Sequence, residues 1–274
     1  MPDAAKLPPL WAFRDVSAYG LRWVHRAALH LAPTRLRPVH VTLLFLVTGL
    51  LSAKLAAQNR RRAERTAAVL LILKHLLDGL DGALARLQRP SRMGRYLDSV
   101  ADFMVSAALF GAFARRRGGR GRDWLGGGLG LLAHLLQVSV YNYYYVLYRH
   151  RRGGEATSLL DERKARPYPW DPPGLTPLLH RVYLCLYGWQ DRLIACLDRV
   201  LTTAAIPPLP SRTFMTALSS LGLGAQLAVM ATFMALGQTA RLPFMFIGPY
   251  LAWTALLLGW RRREARCHAL IQSG

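Results

Sequence analysis

The chain has 274 residues, 52% of them hydrophobic, with three cysteines and a formal net charge of +21. Cys185, Cys196 and Cys267 are too few and too scattered for a disulfide scaffold or a cysteine metal site, and residues 1–10 lack the apolar core of a cleaved signal peptide. The basic clusters at 60–62, 115–117 and 261–263 flank apolar runs, which suits anionic membrane lipids and argues against a nucleic-acid partner.

Residues 10–35 interleave Trp11, Phe13, Tyr19, Leu21 and Trp23 with Arg14, Arg22 and Arg26. That mixture predicts an amphipathic helix at the membrane interface, with a soluble cap helix as the alternative. Six spans are expected next, at 39–57, 66–87, 94–114, 124–148, 213–238 and 242–260. Residues 124–148, 213–240 and 242–260 contain no Lys, Arg, Asp or Glu. Each run is close to or beyond the ~20 helical residues that cross a hydrocarbon core of ~30 Å. Spans two and three differ from the rest: one carries Lys74, Asp78, Asp81 and Arg86, the other Asp98 and Asp102. Acids at such depth are costly in lipid, so they are expected to face a polar cavity and bind something.

Residues 150–180 hold Pro167, Pro169, Pro172, Pro173 and Pro177 and read as a loop. Residues 178–203 mix leucines with Arg181, Asp191, Arg192, Asp198 and Arg199 and read as a surface helix rather than a further span. The expectation is an all-α integral membrane protein with six transmembrane helices and an N-terminal interfacial amphipathic helix. Its segments are 1–38, cytoplasmic or interfacial; 39–262, transmembrane, with a 150–210 cytoplasmic loop and surface helix; and 263–274, a basic tail. With the N-terminus in the cytoplasm, the inside segments carry 21 Lys and Arg against 10 outside, which favours that orientation. It puts the aspartates near the cytoplasmic ends of their spans, at the inner (cytoplasmic) membrane.

Asp78 and Asp81 are three residues apart and Asp98 and Asp102 four, so each pair shares one helix face. A turn at about 88–93 lets both pairs converge if the two helices pack antiparallel. Four converging carboxylates repel one another, and two hard divalent cations, Mg²⁺ or Mn²⁺, relieve that repulsion and can also neutralise a diphosphate. Gly79, Gly82 and Gly94 remove side chains where a base or diphosphate would approach, and Arg86 is one turn beyond Gly82, placed for an anionic phosphate. A purely structural hairpin accounts for one or two of these residues but not for four acids, two glycines and an arginine in register. A proton or ion pathway is the other reading of intramembrane acids. The histidines form no spaced ligand cluster; Lys74 and His75, one turn before Asp78, either tune the site or line a helix interface.

The stretch resembles the signature of the CDP-alcohol phosphatidyltransferases, D-x2-D-G-x2-A-R, eight residues, then G-x3-D-x3-D. Asp78, Asp81, Gly82, Ala85 and Arg86 match its first half, and Gly94, Asp98 and Asp102 its second. The gap from Leu87 to Met93 is seven residues rather than eight. The signature covers about 25 residues, and the six-span plan extends the likeness to roughly 15–260. Pro38-Val39-His40-Val41-Thr42 resembles the family's P-N-x-x-T, with Val39 in place of asparagine. The resemblance implies that a CDP-alcohol binds with its diphosphate on two metal ions, that a second alcohol attacks the β-phosphorus, and that CMP leaves. It makes Asp78, Asp81 and Asp98 metal ligands, and Asp102 the general base with a share in a metal. Gly82, Ala85, Arg86, Gly94 and Thr42 fall in the nucleotide and diphosphate site. Arg89, Arg92 and Arg95 lie at the mouth as acceptor-binding residues, and a homodimer is implied. CDP-diacylglycerol with a small polar acceptor is the favoured pair. CDP-choline or CDP-ethanolamine with diacylglycerol is the alternative, for which Tyr141, Tyr143, Tyr144 and Tyr145 offer an aromatic wall; those rings also suit an interfacial belt. A transporter or ion pathway on the acidic pairs is the reading from another class.

Overall fold

The computed structural model describes residues 7–154, 157–203 and 207–273, the last six by backbone alone. The first six residues of the 1–38 segment and the last of the basic tail lie outside the described residues, as does the side chain of His268. All regular structure among the described residues is helical.

Helix α1, Leu21–Leu31, is shorter than the interfacial helix expected over 10–35. Gly20, at φ 79°, sets its start, and the chain before it is mostly irregular, with a single 3-10 turn at Pro9–Trp11. Helix α2, Pro38–Ala56, begins with a proline at its first turn, where the missing N–H costs nothing. Helix α3, Arg61–Leu87, ends just before Gln88, two residues short of Pro90. Helix α4, Arg92–Arg117, is capped by Ser91, whose hydroxyl accepts from the Gly94 N–H at 3.1 Å. Helix α5 is Gly121–Arg151. The segment after it contains α6, Leu175–Leu186, and α7, Gly188–Thr202, where one surface helix was expected; the chain breaks between them at Tyr187. Then come α8 (Arg212–Leu218), α9 (Leu223–Ala235), α10 (Leu242–Ile247) and α11 (Pro249–Ser273).

Among the described residues, four helical stretches are long and apolar enough to cross a membrane: α2, α4, α5 and Thr239–Cys267. The α8 and α9 segments, bent by 44°, raise this to five if they form one span. This is a multi-pass membrane architecture; of the six spans expected, the one at 66–87 is not among these stretches. Helix α3 has the length, at 27 residues, and not the apolarity, because Lys74, Asp78, Asp81 and Arg86 interrupt it.

Helix α2 packs along both α3 and α4, while α3 and α4 meet each other only sparsely. Gly49 is what allows α2 to approach α4, since a Cβ there would lie 2.5 Å from a Val105 methyl. Polar ties add to the apolar packing of Ala53, Ala67, Leu71 and Leu109 between these helices. The Ser52 hydroxyl donates to the Ala67 carbonyl at 2.8 Å. Buried Glu64 accepts from Arg116 at 2.7 Å and from Thr239 at 2.6 Å, joining the start of α3 to the end of α4. Deeper in the bundle, Asp198 of α7 pairs with Arg261 of α11 at 3.1 Å, both side chains fully buried.

Candidate active site

Because α3 and α4 are held apart by α2, a cavity of about 570 Å³ opens between them. All four aspartates line it, together with Gly82 and Arg86. Asp78 and Asp81 reach it from the second half of α3, and Asp98 and Asp102 from the first half of α4. The two pairs thus converge across an open volume and not across a packed hairpin.

The carboxylates are provided for unequally. Asp81 is buried, and its Oδ2 accepts from the Thr42 hydroxyl at 2.7 Å. Asp78 accepts from Lys74 Nζ at 3.1 Å, and Lys74 also donates to Asp102, so one ammonium ties α3 to α4. The Oδ1 of Asp98 is buried with no hydrogen-bond partner among the described residues. One ligand atom from each of Asp78, Asp98 and Asp102 lies within 4.8 Å of the others. That spacing, the hard oxygen donors and the orphaned Asp98 oxygen fit a divalent cation of the Mg²⁺ or Mn²⁺ kind.

Other residues singled out from sequence are placed less uniformly. Thr42 touches Asp81 and does not line the cavity; Ala85 and Gly94 do not line it either. Gly94 instead gives its N–H to the cap of α4. Arg95 lines the cavity, whereas Arg89 and Arg92 do not. Arg89 lies over the Trp170 ring at 5.7 Å, and Arg92 over Tyr168 at 5.6 Å.

The segment after α5 explains where those arginines point. Glu162, buried in a 3-10 turn, takes Arg95 at 3.1 Å and Arg92 at 3.5 Å, and accepts from the Tyr96 hydroxyl at 3.2 Å. Asp171 accepts from Ser91 Oγ at 2.6 Å, from the Arg92 N–H at 3.2 Å and from the Tyr168 N–H at 2.9 Å. The loop therefore fastens the first turn of α4, about one turn before Asp98. Sequence reasoning missed Glu162 and Asp171. Their signal is that each is an acid in a loop rich in arginine and proline.

Two further contacts close the cavity. Asp15, before α1, accepts from the Tyr141 hydroxyl at 2.6 Å. Ser106, one turn beyond Asp102, meets His134 Nε2 at 3.1 Å, and the other ring nitrogen of His134 bonds Gln226. Tyr19, outside the spans, lies against His75 with ring centroids 4.2 Å apart and the planes tilted by 38°, and burial pushes its hydroxyl pKa up to about 12.

No curated protein matches the chain significantly. Over residues 34–147, which run from just before α2 into the last turns of α5 and hold all four aspartates, the chain matches the CDP-alcohol phosphatidyltransferase family, and the match supports a phosphotransferase reaction of that type.

Proposed function

We propose that the protein transfers a substituted phosphate from CDP-diacylglycerol to the hydroxyl of a small polar alcohol, releasing CMP and forming a phospholipid. The observation that carries this reading is the cluster of Asp78, Asp98 and Asp102, with an unpartnered Asp98 oxygen, inside the stretch that matches the family. Asp78, Asp81, Asp98 and Asp102 would hold Mg²⁺ or Mn²⁺. When bound, the metal neutralises diphosphate charge and the charge that develops on the leaving CMP.

The chain's own residues supply the rest. Arg86 pairs with a phosphate oxygen through its planar guanidinium. Gly82 lets the nucleotide approach the α3 backbone, with Ala85, Gly94 and Thr42 supporting that wall. Asp102 takes the proton of the acceptor hydroxyl as its oxygen bonds to the β-phosphorus and the bond to the CMP oxygen breaks. Arg95, though paired with Glu162, is the acceptor contact best placed, since it lines the cavity, while Arg89 guides an anionic acceptor to the mouth and Arg92, held by Glu162, supports that wall. Of the tyrosine wall, Tyr145 already carries Arg149 over its ring at 5.2 Å and Tyr144 carries Arg261 at 5.4 Å, which supports CDP-diacylglycerol over a quaternary-ammonium donor. The protein works as a homodimer in the inner membrane, its cavity open to the cytoplasm and its basic rims on anionic lipids.

The test uses the purified chain in detergent with Mg²⁺ or Mn²⁺. CMP and lipid product should appear with CDP-diacylglycerol and a polar acceptor, phosphorylated or not, and stop with a chelator. Product only from CDP-choline or CDP-ethanolamine with diacylglycerol would reject the donor. Solute flux into liposomes with no CMP release would favour a transporter. A cysteine placed at Gly118 should react with an impermeant thiol reagent from outside the cell.

A further inference from the structure

Lys74 has a place that the reaction just described does not use. It lies one turn before Asp78 on α3 and is 1% exposed. Its ammonium gives hydrogen bonds to Asp78 Oδ2 at 3.1 Å and to Asp102, and sits over the Phe45 ring at 4.4 Å. It does not line the cavity, although Asp78 and Asp102 do. The ammonium therefore reaches both carboxylates from the protein side, leaving their cavity side to a ligand. A buried ammonium with two carboxylate partners and an aromatic face is a charge well compensated in place.

Charge balance gives this a consequence. Taken together, the four aspartates and the cationic Lys74 and Arg86, which form the floor of the proposed metal site, sum to a formal charge of minus two; Asp15 and Asp191 line the cavity elsewhere, as does Arg149. Arg95, farther along the wall, is balanced by Glu162. One divalent cation brings the floor to neutrality. A second would leave it doubly positive, in a setting where uncompensated charge is expensive. A diphosphate esterified at both ends carries about two negative charges, which restores the balance for a second cation bound partly through phosphate oxygens.

We infer that Lys74 is a resident cation of the centre, so that the free protein takes one divalent ion and admits the second only together with the diphosphate of its donor. The ion count of two expected from sequence is then a property of the donor complex. The inference rests on reading the site as a divalent-metal phosphotransferase centre.

The test is a count. The full chain in detergent is titrated with Mn²⁺, and free Mn²⁺ is followed by electron paramagnetic resonance, first alone and then with CDP-diacylglycerol and no acceptor. The expected result is one Mn²⁺ per chain alone and two with donor. Lys74→Gln should take a second Mn²⁺ without donor, at least about 10-fold more tightly than the wild type does, whereas Lys74→Arg should keep the wild-type count. Two ions of similar affinity in the donor-free wild type would overturn the inference, even if Lys74→Gln failed to fold. CMP release with an acceptor is scored separately. Two-ion binding with CMP release rejects the resident cation and keeps the phosphotransferase, and one-ion binding without CMP release does the reverse.

Discussion

Asp198 and Asp98 are both acids with oxygens removed from water inside a helical bundle, and they are treated in opposite ways. Asp198 Oδ1 accepts from the Tyr144 hydroxyl at 2.8 Å and from Arg261 Nε at 3.1 Å, and Oδ2 lies 3.5 Å from the Tyr143 hydroxyl. Asp98 Oδ1 has no partner among the described residues, and its nearest charged neighbours include other aspartates. A carboxylate whose needs are met by the protein can hold helices together. One whose needs are unmet makes the fold pay until a ligand arrives. Function and stability are therefore expected to separate cleanly between the two sites.

The largest effects fall on the aspartate cluster. Asp98→Ala should remove Mn²⁺ binding from the titration and lower turnover by more than about 100-fold, while the metal-free protein unfolds no earlier, because a like-charge contact is gone. Asp102→Asn should lower turnover by about 10²–10⁴-fold with donor binding largely kept, as expected for loss of a base. Equal losses of donor binding in the two variants would erase that division. Asp198→Ala reverses the pattern: a fall in stability of about 3–5 kcal/mol, read as thermal unfolding in detergent, with Mn²⁺ binding unchanged in the protein that remains folded. Replacing both partners, as Asp198→Leu with Arg261→Met, should recover most of that loss. A double variant no better than Asp198→Ala would show that the pair does more than compensate its own burial.

The same contrast shows what could be read from sequence. The four aspartates were legible because helical spacing alone puts each pair on one face, and acids in an apolar stretch require a reason. Helix positions were legible from the charge-free runs. The span at 66–87 is the least legible of the six, because the charges of a chemical site on a helix erode the apolar pattern that marks a span. The aspartates converge without close packing of α3 on α4, since α2 packs on both and Gly49 lets it approach α4. Glu162 and Asp171 act over 60 or more residues of separation, which no local pattern encodes. Arg92 and Arg95 look like free cations in sequence, and only the fold shows the acid that meets them.

Asp191 on α7 stands between the extremes and carries the smallest expected effect. It lines the cavity wall, outside the membrane-spanning helices, near Arg95 and Glu162. Burial raises its pKa to about 6; Arg95 and a hydrogen bond from Tyr183 pull it down, and Glu162 pushes it further up. An unfolded aspartate titrates near ~3.9. The folded protein therefore holds a proton here that the unfolded chain has lost between about pH 4 and pH 6. The stability this contributes is fully present below the unfolded value and is lost as the pH rises through about 6. At pH 7 the ionised, half-provided carboxylate is a burden on the order of 3 kcal/mol. Asp191→Asn should then unfold later than the wild type at pH 7, and the gap should close as the pH falls toward 4. A gap of constant size from pH 4 to pH 7 would mean that Asp191 is as fully provided for as Asp198, and that the cavity wall belongs with the structural side of the comparison.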